Sequence, residues 1–199
     1  MTDLEPGRRE RKKQATRDEL MDHAAHLFAD RGFDAVTTAD IAEAADVSQR
    51  TFFRHFPSKE AVLYGNAHVL REGMLNEFAA RPPDEPVNTS VIAAIRALAS
   101  YYETHRDETF LQARLAADFP AVAAHARAYV QSEWEHELTA VIAARMGVDP
   151  LADPRPEILS GAAFAAYRVA VRRWSAAGGR HGFSELLDES LAALGVFGD

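Results

Sequence analysis

Residues 37–60 read Thr37-Thr38-Ala39-Asp40-Ile41-Ala42-Glu43-Ala44-Ala45-Asp46-Val47-Ser48-Gln49-Arg50-Thr51-Phe52-Phe53-Arg54-His55-Phe56-Pro57-Ser58-Lys59-Glu60, and this stretch decides the fold. Thr38 predicts the cap of a short helix carrying Ile41, Ala42 and Ala45. Ser48 predicts the cap of a second helix over residues 49–55, after a tight connection at residues 45–48. Helices this short are unstable alone, so both need tertiary packing. A short helix, a tight turn and a second capped short helix make a helix-turn-helix. Its packing asks for small residues where the helices cross, supplied by Ala42 and Ala45, and an apolar plug in the turn, supplied by Val47. Phe52 and Phe56 give the second helix a buried face. Its other face carries Gln49, Arg50, Thr51, Arg54 and His55, which are donors for phosphates and base edges.

Outward from this stretch the chain reads as helices and breaks. Thr16-Arg17-Asp18-Glu19 has the form of a capping box and predicts a helix start near Arg17. Leu20, Ala24, Leu27 and Phe28 then share one face, and Gly32 ends the helix. Pro57 breaks the chain, and Ser58 predicts the cap of a fourth helix running through Val62, Val69, Leu70 and Leu75 to about residue 79. Pro82, Pro83 and Pro86 mark a linker. Helical periodicity resumes over residues 88–105, 107–118, 120–145, 157–177 and 184–194, with Ser184 as the cap of the last. No alternating β-branched stretch reads as a strand. The expected class is all-α: a three-helix helix-turn-helix domain over residues 1–58 and a larger helical domain over residues 59–199.

Composition narrows the function classes. The 199 residues hold no Cys, which excludes disulfides, thiolate metal sites and cysteine nucleophiles. There is no Gly-rich phosphate loop, no G-x-S-x-G and no H-E-x-x-H, so no enzyme, cofactor or metal is expected. His23 with His26, and Glu133 with His136 and Glu137, read as solvated helix faces. No run of 18 apolar residues appears, and a cytoplasmic protein without a membrane partner is expected. The formal charge of −8 argues against a uniformly basic nucleic-acid binder, but the charge is uneven. Residues 8–17 hold Arg8, Arg9, Arg11, Lys12, Lys13 and Arg17 against Glu10 alone, whereas residues 61–199 hold 12 basic and 18 acidic side chains. A short basic arm before an acidic body can neutralise phosphates or merely stay solvated.

The stretch at residues 37–60 resembles the DNA-binding signature of TetR-type transcriptional regulators. It combines Thr37-Thr38, Ile41-Ala42, Ala45-x-Val47-Ser48, Phe52-x-x-His55-Phe56 and Ser58-Lys59-Glu60 at that family's spacings. The resemblance implies double-stranded DNA as partner, a recognition helix in the major groove, and base reading by Gln49 and Arg50. It implies phosphate contacts from Thr38, Ser48, Thr51, His55 and Lys59, with the basic arm reaching a flanking minor groove. Each has a plainer reading: His55 as a cap, Lys59 as a partner of Glu60, Arg50 on phosphate alone. Asp46 stands where the family usually has Gly, and Asp tolerates a left-handed backbone better than most residues. Phe53 stands where Tyr is common and keeps only packing, on a sugar or a thymine methyl or inside.

Residues 101–175 resemble the C-terminal domain of regulators grouped with mycofactocin-associated and acyl-CoA-like ligand binders, through Arg114-Leu115, Gln131-Ser132-Glu133-Trp134-Glu135 and Arg172-Arg173-Trp174. This implies a small-molecule effector, hydrophobic or acyl-CoA-like. Candidate ligand residues are Tyr102, Phe110, Arg114, Tyr129, Phe164 and Arg168. The aromatics describe a pocket wall and an ordinary core equally well. Arg114 and Arg168 lie in apolar helices and suit an anion or a structural acid. Ala162, Ala163, Ala165, Ala166 and Ala170 allow close helix approach, either within one subunit or in a homodimer through the last two helices. The dimer, which the resemblance favours, asks for a roughly palindromic operator. The function so implied is a ligand-responsive repressor; a helical carrier that does not use DNA is the alternative.

Overall fold

The computed structural model describes residues 7–195, apart from the side chains of Glu10, Tyr129 and Val130. Every regular element among these residues is helical. The chain forms two compact units, one reaching Gly65 and one starting at Asn66, so the boundary lies beyond the expected residue 58.

The first unit contains α1 (Arg8–Arg31), α2 (Thr38–Ala44), α3 (Gln49–His55) and α4 (Lys59–Leu63). α1 starts at Arg8 and not near Arg17, which corrects the reading of a loose basic arm. Thr16 is no cap: its hydroxyl donates to the Lys12 carbonyl at 3.1 Å, a bond made within a helix. The physical reason is propensity. Residues 8–15 are Arg, Lys, Glu, Gln and Ala, all strong helix formers, and nothing in them interrupts the turns.

α2 begins one residue earlier than predicted, capped by Thr37 in place of Thr38. Asp40 N–H donates to Thr37 Oγ1 at 3.2 Å while Thr37 N–H donates to Asp40 Oδ2 at 2.8 Å, a reciprocal box. Ser48 caps α3 as expected, accepting from Thr51 N–H at 3.1 Å. Leu20, Phe28, Ile41, Phe52, Phe56 and Val62 fill the core of this unit.

The predicted long fourth helix is two. α4 stops at Leu63, and α5 (Ala67–Ala80) starts after a break. Gly65 explains the break: a Cβ there would sit 2.2 Å from Met21 Sδ, so the backbone lies directly against α1.

The second unit runs from α5 through α6 (Val87–Thr104), α7 (Arg106–Asp118), α8 (Pro120–His125), α9 (Ser132–Met146), α10 (Arg155–Ala176) and α11 (Phe183–Ala192). The single helix expected over residues 120–145 is interrupted by a π-helical turn at Ala126–Gln131, where Ser132 N–H reaches back to the Arg127 carbonyl. Ser184 is not the cap of α11; Gly182 holds that position and the Ser184 hydroxyl donates to Glu103. Arg145 ties α9 to the α5–α6 turn, donating to Ser90 Oγ at 2.7 Å and to the Phe78 carbonyl at 2.8 Å.

An interlocked aromatic cluster forms the centre of this unit. Tyr102 stacks on Phe183 with centroids 4.0 Å apart, meets Trp174 edge-on, and shares a 2.8 Å hydroxyl hydrogen bond with Tyr167. The alanines of α10 divide: Ala163, Ala166 and Ala170 are buried within this unit, whereas Ala162 and Ala165 are half-buried.

Candidate functional site

The turn between α2 and α3 sets the geometry of the first unit's exposed face. Asp46 takes φ +52°, the left-handed region. Its N–H donates to the Glu43 carbonyl at 3.0 Å, and Val47 N–H donates to the Ala42 carbonyl at 2.9 Å. This pair of bonds is a Schellman motif, which closes α2 and turns the chain into α3. Asp46 thus does the work of the glycine usual at this point, at a cost in backbone strain. Ala42 and Ala45 are buried, and Phe52 and Phe56 anchor α3 beneath them.

With that face buried, Gln49, Arg50 and Arg54 are exposed, and Phe53 is 51% exposed with its ring edge-on to Phe52. Gln49 Nε2 donates to Thr38 Oγ1 at 2.9 Å, so the fold brings the starts of α2 and α3 together. The Ser48 and Thr51 hydroxyls lie 2.9 Å apart. Thr38, Ser48, Gln49 and Thr51 thus meet where α2 and α3 begin, and Arg50 and Arg54 are exposed along α3.

His55 and Lys59 face other surroundings. His55 Nε2 is buried and, among the described residues, has no hydrogen-bond partner. Burial, and then the cations Arg54, Arg17 and Lys13, hold its imidazole below the ordinary histidine value. Lys59 is held by backbone carbonyls and a ring. Its ammonium donates to the carbonyls of Phe33 at 2.8 Å and Val36 at 3.1 Å and sits 4.3 Å from the Phe33 ring centroid. It fastens the α1–α2 connection to the start of α4.

Arg17 was assigned to the basic arm, yet it points inward. Its guanidinium donates to the carbonyls of His55 at 2.9 Å and Gly65 at 3.1 Å and lies over the Phe56 ring. A cation on the last carbonyls of α3 is favourable there. Both partners are far away in sequence, so no local pattern signals the contact.

The second unit contains a half-open cavity of about 570 Å³ between α7, α8, the π turn and α10. Arg114 and Arg168, the two arginines expected to interest a ligand, both line it, joined by Arg127, Arg172 and Gln131. Arg168 pairs with Glu135 at 3.6 Å, whereas among the described residues no ion pair forms at Arg114, Arg127 or Arg172. Gln131 Oε1 is buried and, among the described residues, has no hydrogen-bond partner. Between the cations the wall is mostly alanine, including Ala113, Ala117 and Ala123, with Asp118, Val171 and Ser175. Arg127 and Arg172 were missed, although Arg172 stands one helical turn after Arg168.

The aromatic ligand candidates are not in this wall. Tyr102 and Phe164 are buried in the aromatic cluster, and Phe110 packs edge-on to Trp174 with centroids 5.8 Å apart. Tyr102 and Phe164 are therefore core, and Phe110 is half-buried at its edge. The side chain of Tyr129 lies outside the described residues. Among the described residues no helix is long and apolar enough to cross a membrane.

A capped helix pair displaying donors, followed by a helical body with its own cationic cavity, is the architecture of a helix-turn-helix regulator of transcription. Residues 20–64 match the bacterial regulatory proteins of the tetR family, and residues 85–196 match the MftR C-terminal domain. The chain is 35% identical over 177 residues to the HTH-type transcriptional regulator TcmR of Streptomyces glaucescens, covering 85% of this chain and 77% of that one. It is 36% identical over 104 residues to the HTH-type transcriptional repressor KstR2 of Rhodococcus jostii, covering 48% and 51%. The crystal structure of Thermus thermophilus FadR, a TetR family transcriptional repressor in complex with lauroyl-CoA, is 27% identical with a TM-score of 0.57, over 89% of this chain and 92% of that chain. The chain belongs to the TetR family of transcriptional regulators. These relatives regulate transcription and are not enzymes, and they set aside the reading as a carrier that does not use DNA.

Proposed function

We propose that the chain is a repressor that binds a palindromic operator as a homodimer and releases it when an anionic small molecule enters the Arg114–Arg168 cavity. The convergence of Arg114, Arg127, Arg168 and Arg172 on one cavity carries the effector half of this reading. Guanidinium groups bind phosphate and carboxylate bidentately. An acyl-CoA offers such phosphates, and FadR is solved with lauroyl-CoA.

On the DNA side, Gln49 and Arg50 read base edges, and Arg50 placed bidentately on guanine supplies about 1–3 kcal/mol of discrimination. Thr38, Ser48, Thr51, Arg54 and His55 hold phosphates, and Phe53 packs on a sugar or a thymine methyl. For the dimer, Ile158, 55% exposed, continues into half-buried Ala162, Ala165 and Val169 at helical spacing along α10. An apolar stripe of this kind suits a two-fold seam with α11, which sets recognition helices about 34–36 Å apart. To move the population from 99:1 to 1:99, the effector must prefer the released state by about 10⁴-fold, about 5.5 kcal/mol.

The test is selection of duplexes from a randomised library, then titration of the bound duplex with lauroyl-CoA, coenzyme A and laurate. A palindromic consensus and release by lauroyl-CoA, blunted in Arg114→Ala and Arg168→Ala, are expected. Release equally efficient in both variants removes the cavity from the mechanism, and Arg50→Ala with an unchanged consensus removes its base readout.

A further inference from the structure

The Arg114–Arg168 cavity holds acceptors as well as cations. Three of its walls each contribute a pair four residues apart, a spacing that makes neighbours along a helix. The pairs are Arg114 and Asp118 on α7, Arg127 and Gln131 in the π turn, and Arg168 and Arg172 on α10. Asp118 is the final residue of α7, where the negative end of the helix opposes an acid. Among the described residues it forms no ion pair, although Arg114 stands one turn back on the same wall. Gln131 Oε1 is buried and, among the described residues, unpartnered. An unpartnered buried acceptor costs the desolvation of its oxygen, and nothing among the described residues offsets either placement. An effector that is only an anion would neutralise the arginines and leave both acceptors without a donor.

We propose that the effector carries N–H or O–H donors close beside its anionic group, and that Gln131 Oε1 and Asp118 accept them as specificity-determining residues. The inference rests on the effector reading above and names the chemistry of its ligand. The spacing follows from the walls. Cβ atoms one helical turn apart are about 5–6 Å apart, so the ligand must offer its anion to an arginine and its donor to the neighbouring acceptor over that distance. An acylated amino acid, a hydroxy acid and an amide-bearing phosphate chain share this arrangement, and a plain fatty acid does not. The Gln131 amide turns about a soft terminal torsion, so its oxygen can swing from the interior onto a donor in the cavity. A site built to hydrogen-bond its ligand rejects the analogue that lacks the donor, because the acceptor stays unpaired.

The experiment compares two ligands that differ in one donor. N-lauroylglycine carries an amide N–H beside its carboxylate, and the ester of lauric and glycolic acids has an oxygen in its place. Calorimetric titration of the full chain is expected to give a dissociation constant about 10-fold lower for the amide than for the ester. In Gln131→Leu/Asp118→Ala that ratio is expected to fall below about 2-fold, while laurate, which has no donor, binds no more weakly than to the parent. Where the double variant loses laurate as well, the comparison is made in the two single variants, and the ratio is expected to fall in at least one. Equal affinity for amide and ester in the parent, or an unchanged ratio in every variant, overturns the proposal. If neither ligand binds while lauroyl-CoA still releases the duplex, the proposal is overturned and the effector reading stands. If lauroyl-CoA, amide and ester all fail to bind, the effector reading fails, and this inference fails with it.

Discussion

Lys59 separates a holding role from a contacting one, and Lys59→Ala distinguishes them. Its ammonium makes charge-assisted hydrogen bonds to the carbonyls of Phe33 and Val36 and a cation–π contact with Phe33. Hydrogen bonds to charged groups contribute about 1.5–3 kcal/mol each, and a cation–π contact about 0.5–1 kcal/mol. Three contacts sharing one half-buried ammonium are not additive, and solvent screens them. Truncation should therefore cost about 2 kcal/mol. For a unit of this size 1 kcal/mol moves the midpoint by about 4–8 °C, so the transition of the first unit should fall by about 8–16 °C.

The assay is urea and thermal denaturation of the full chain followed by circular dichroism, with anisotropy against the selected duplex at a temperature where parent and variant are both folded. The expected result is lower stability, a salt slope within about 0.3 of the parent, and partial recovery with Lys59→Gln, whose amide can donate to one carbonyl. A variant within about 0.5 kcal/mol of the parent, whose slope has dropped by about one, would refute the reasoning and return Lys59 to the phosphate contacts.

Asp46→Gly should leave the fold intact and raise stability by up to about 1 kcal/mol, while Asp46→Val should lower it by more than that, because φ +52° is strained for a β-branched residue; urea midpoints decide. Arg17→Ala should loosen the end of α3, seen as faster hydrogen exchange at the Phe56 amide, which bonds the Phe52 carbonyl; unchanged exchange there would deny the clamp. Burial and neighbouring cations hold the His55 imidazole below 6.5, so the folded chain binds fewer protons than the unfolded chain. His55 therefore costs no stability above pH 6.5 and destabilises progressively as pH falls below it, a loss that His55→Gln should abolish in melts between pH 5 and 8. A phosphate beside His55 reverses the sign for binding: the groups facing the ring are the cations Lys13, Arg17 and Arg54, the anion offsets them, and affinity for the duplex should rise as pH drops from 7.5 to 6.

What the sequence revealed was mostly what is local. Ser48, the alanines at the crossing, Val47, and Phe52 with Phe56 each act within a few residues, and all were readable. Asp46 was readable as a left-handed position because the turn demands one. The start of α1 was misread because a capping-box pattern competed with a run of good helix formers, and the run won. The carbonyl partners of Lys59 were not legible because they lie 26 and 23 residues upstream. Among the ligand candidates the two arginines line a cavity and Tyr102 and Phe164 pack in the core. A guanidinium in an apolar helix must face something polar, whereas an aromatic ring fits a pocket or a core equally well. The π turn has no pattern in residues 126–131 that separates it from an ordinary helix.

The placement of the cations also changes what the net charge of −8 means. The first unit is rich in Arg and Lys, but Arg17 and Lys59 are committed to backbone carbonyls. They hold the scaffold, and their carbonyl partners compete with phosphate for the same donors. The cations of α3 stand on a helix that Arg17 fastens to α1, so little conformational entropy should be lost when they engage phosphates. The second unit, with its acidic excess, repels a polyanion in general. Affinity then depends on a small set of fixed contacts, and its salt dependence should be shallower than the number of basic residues suggests. A regulator of this kind gains discrimination by withholding charge from random DNA, and Arg17 and Lys59 are two of the residues that withhold it.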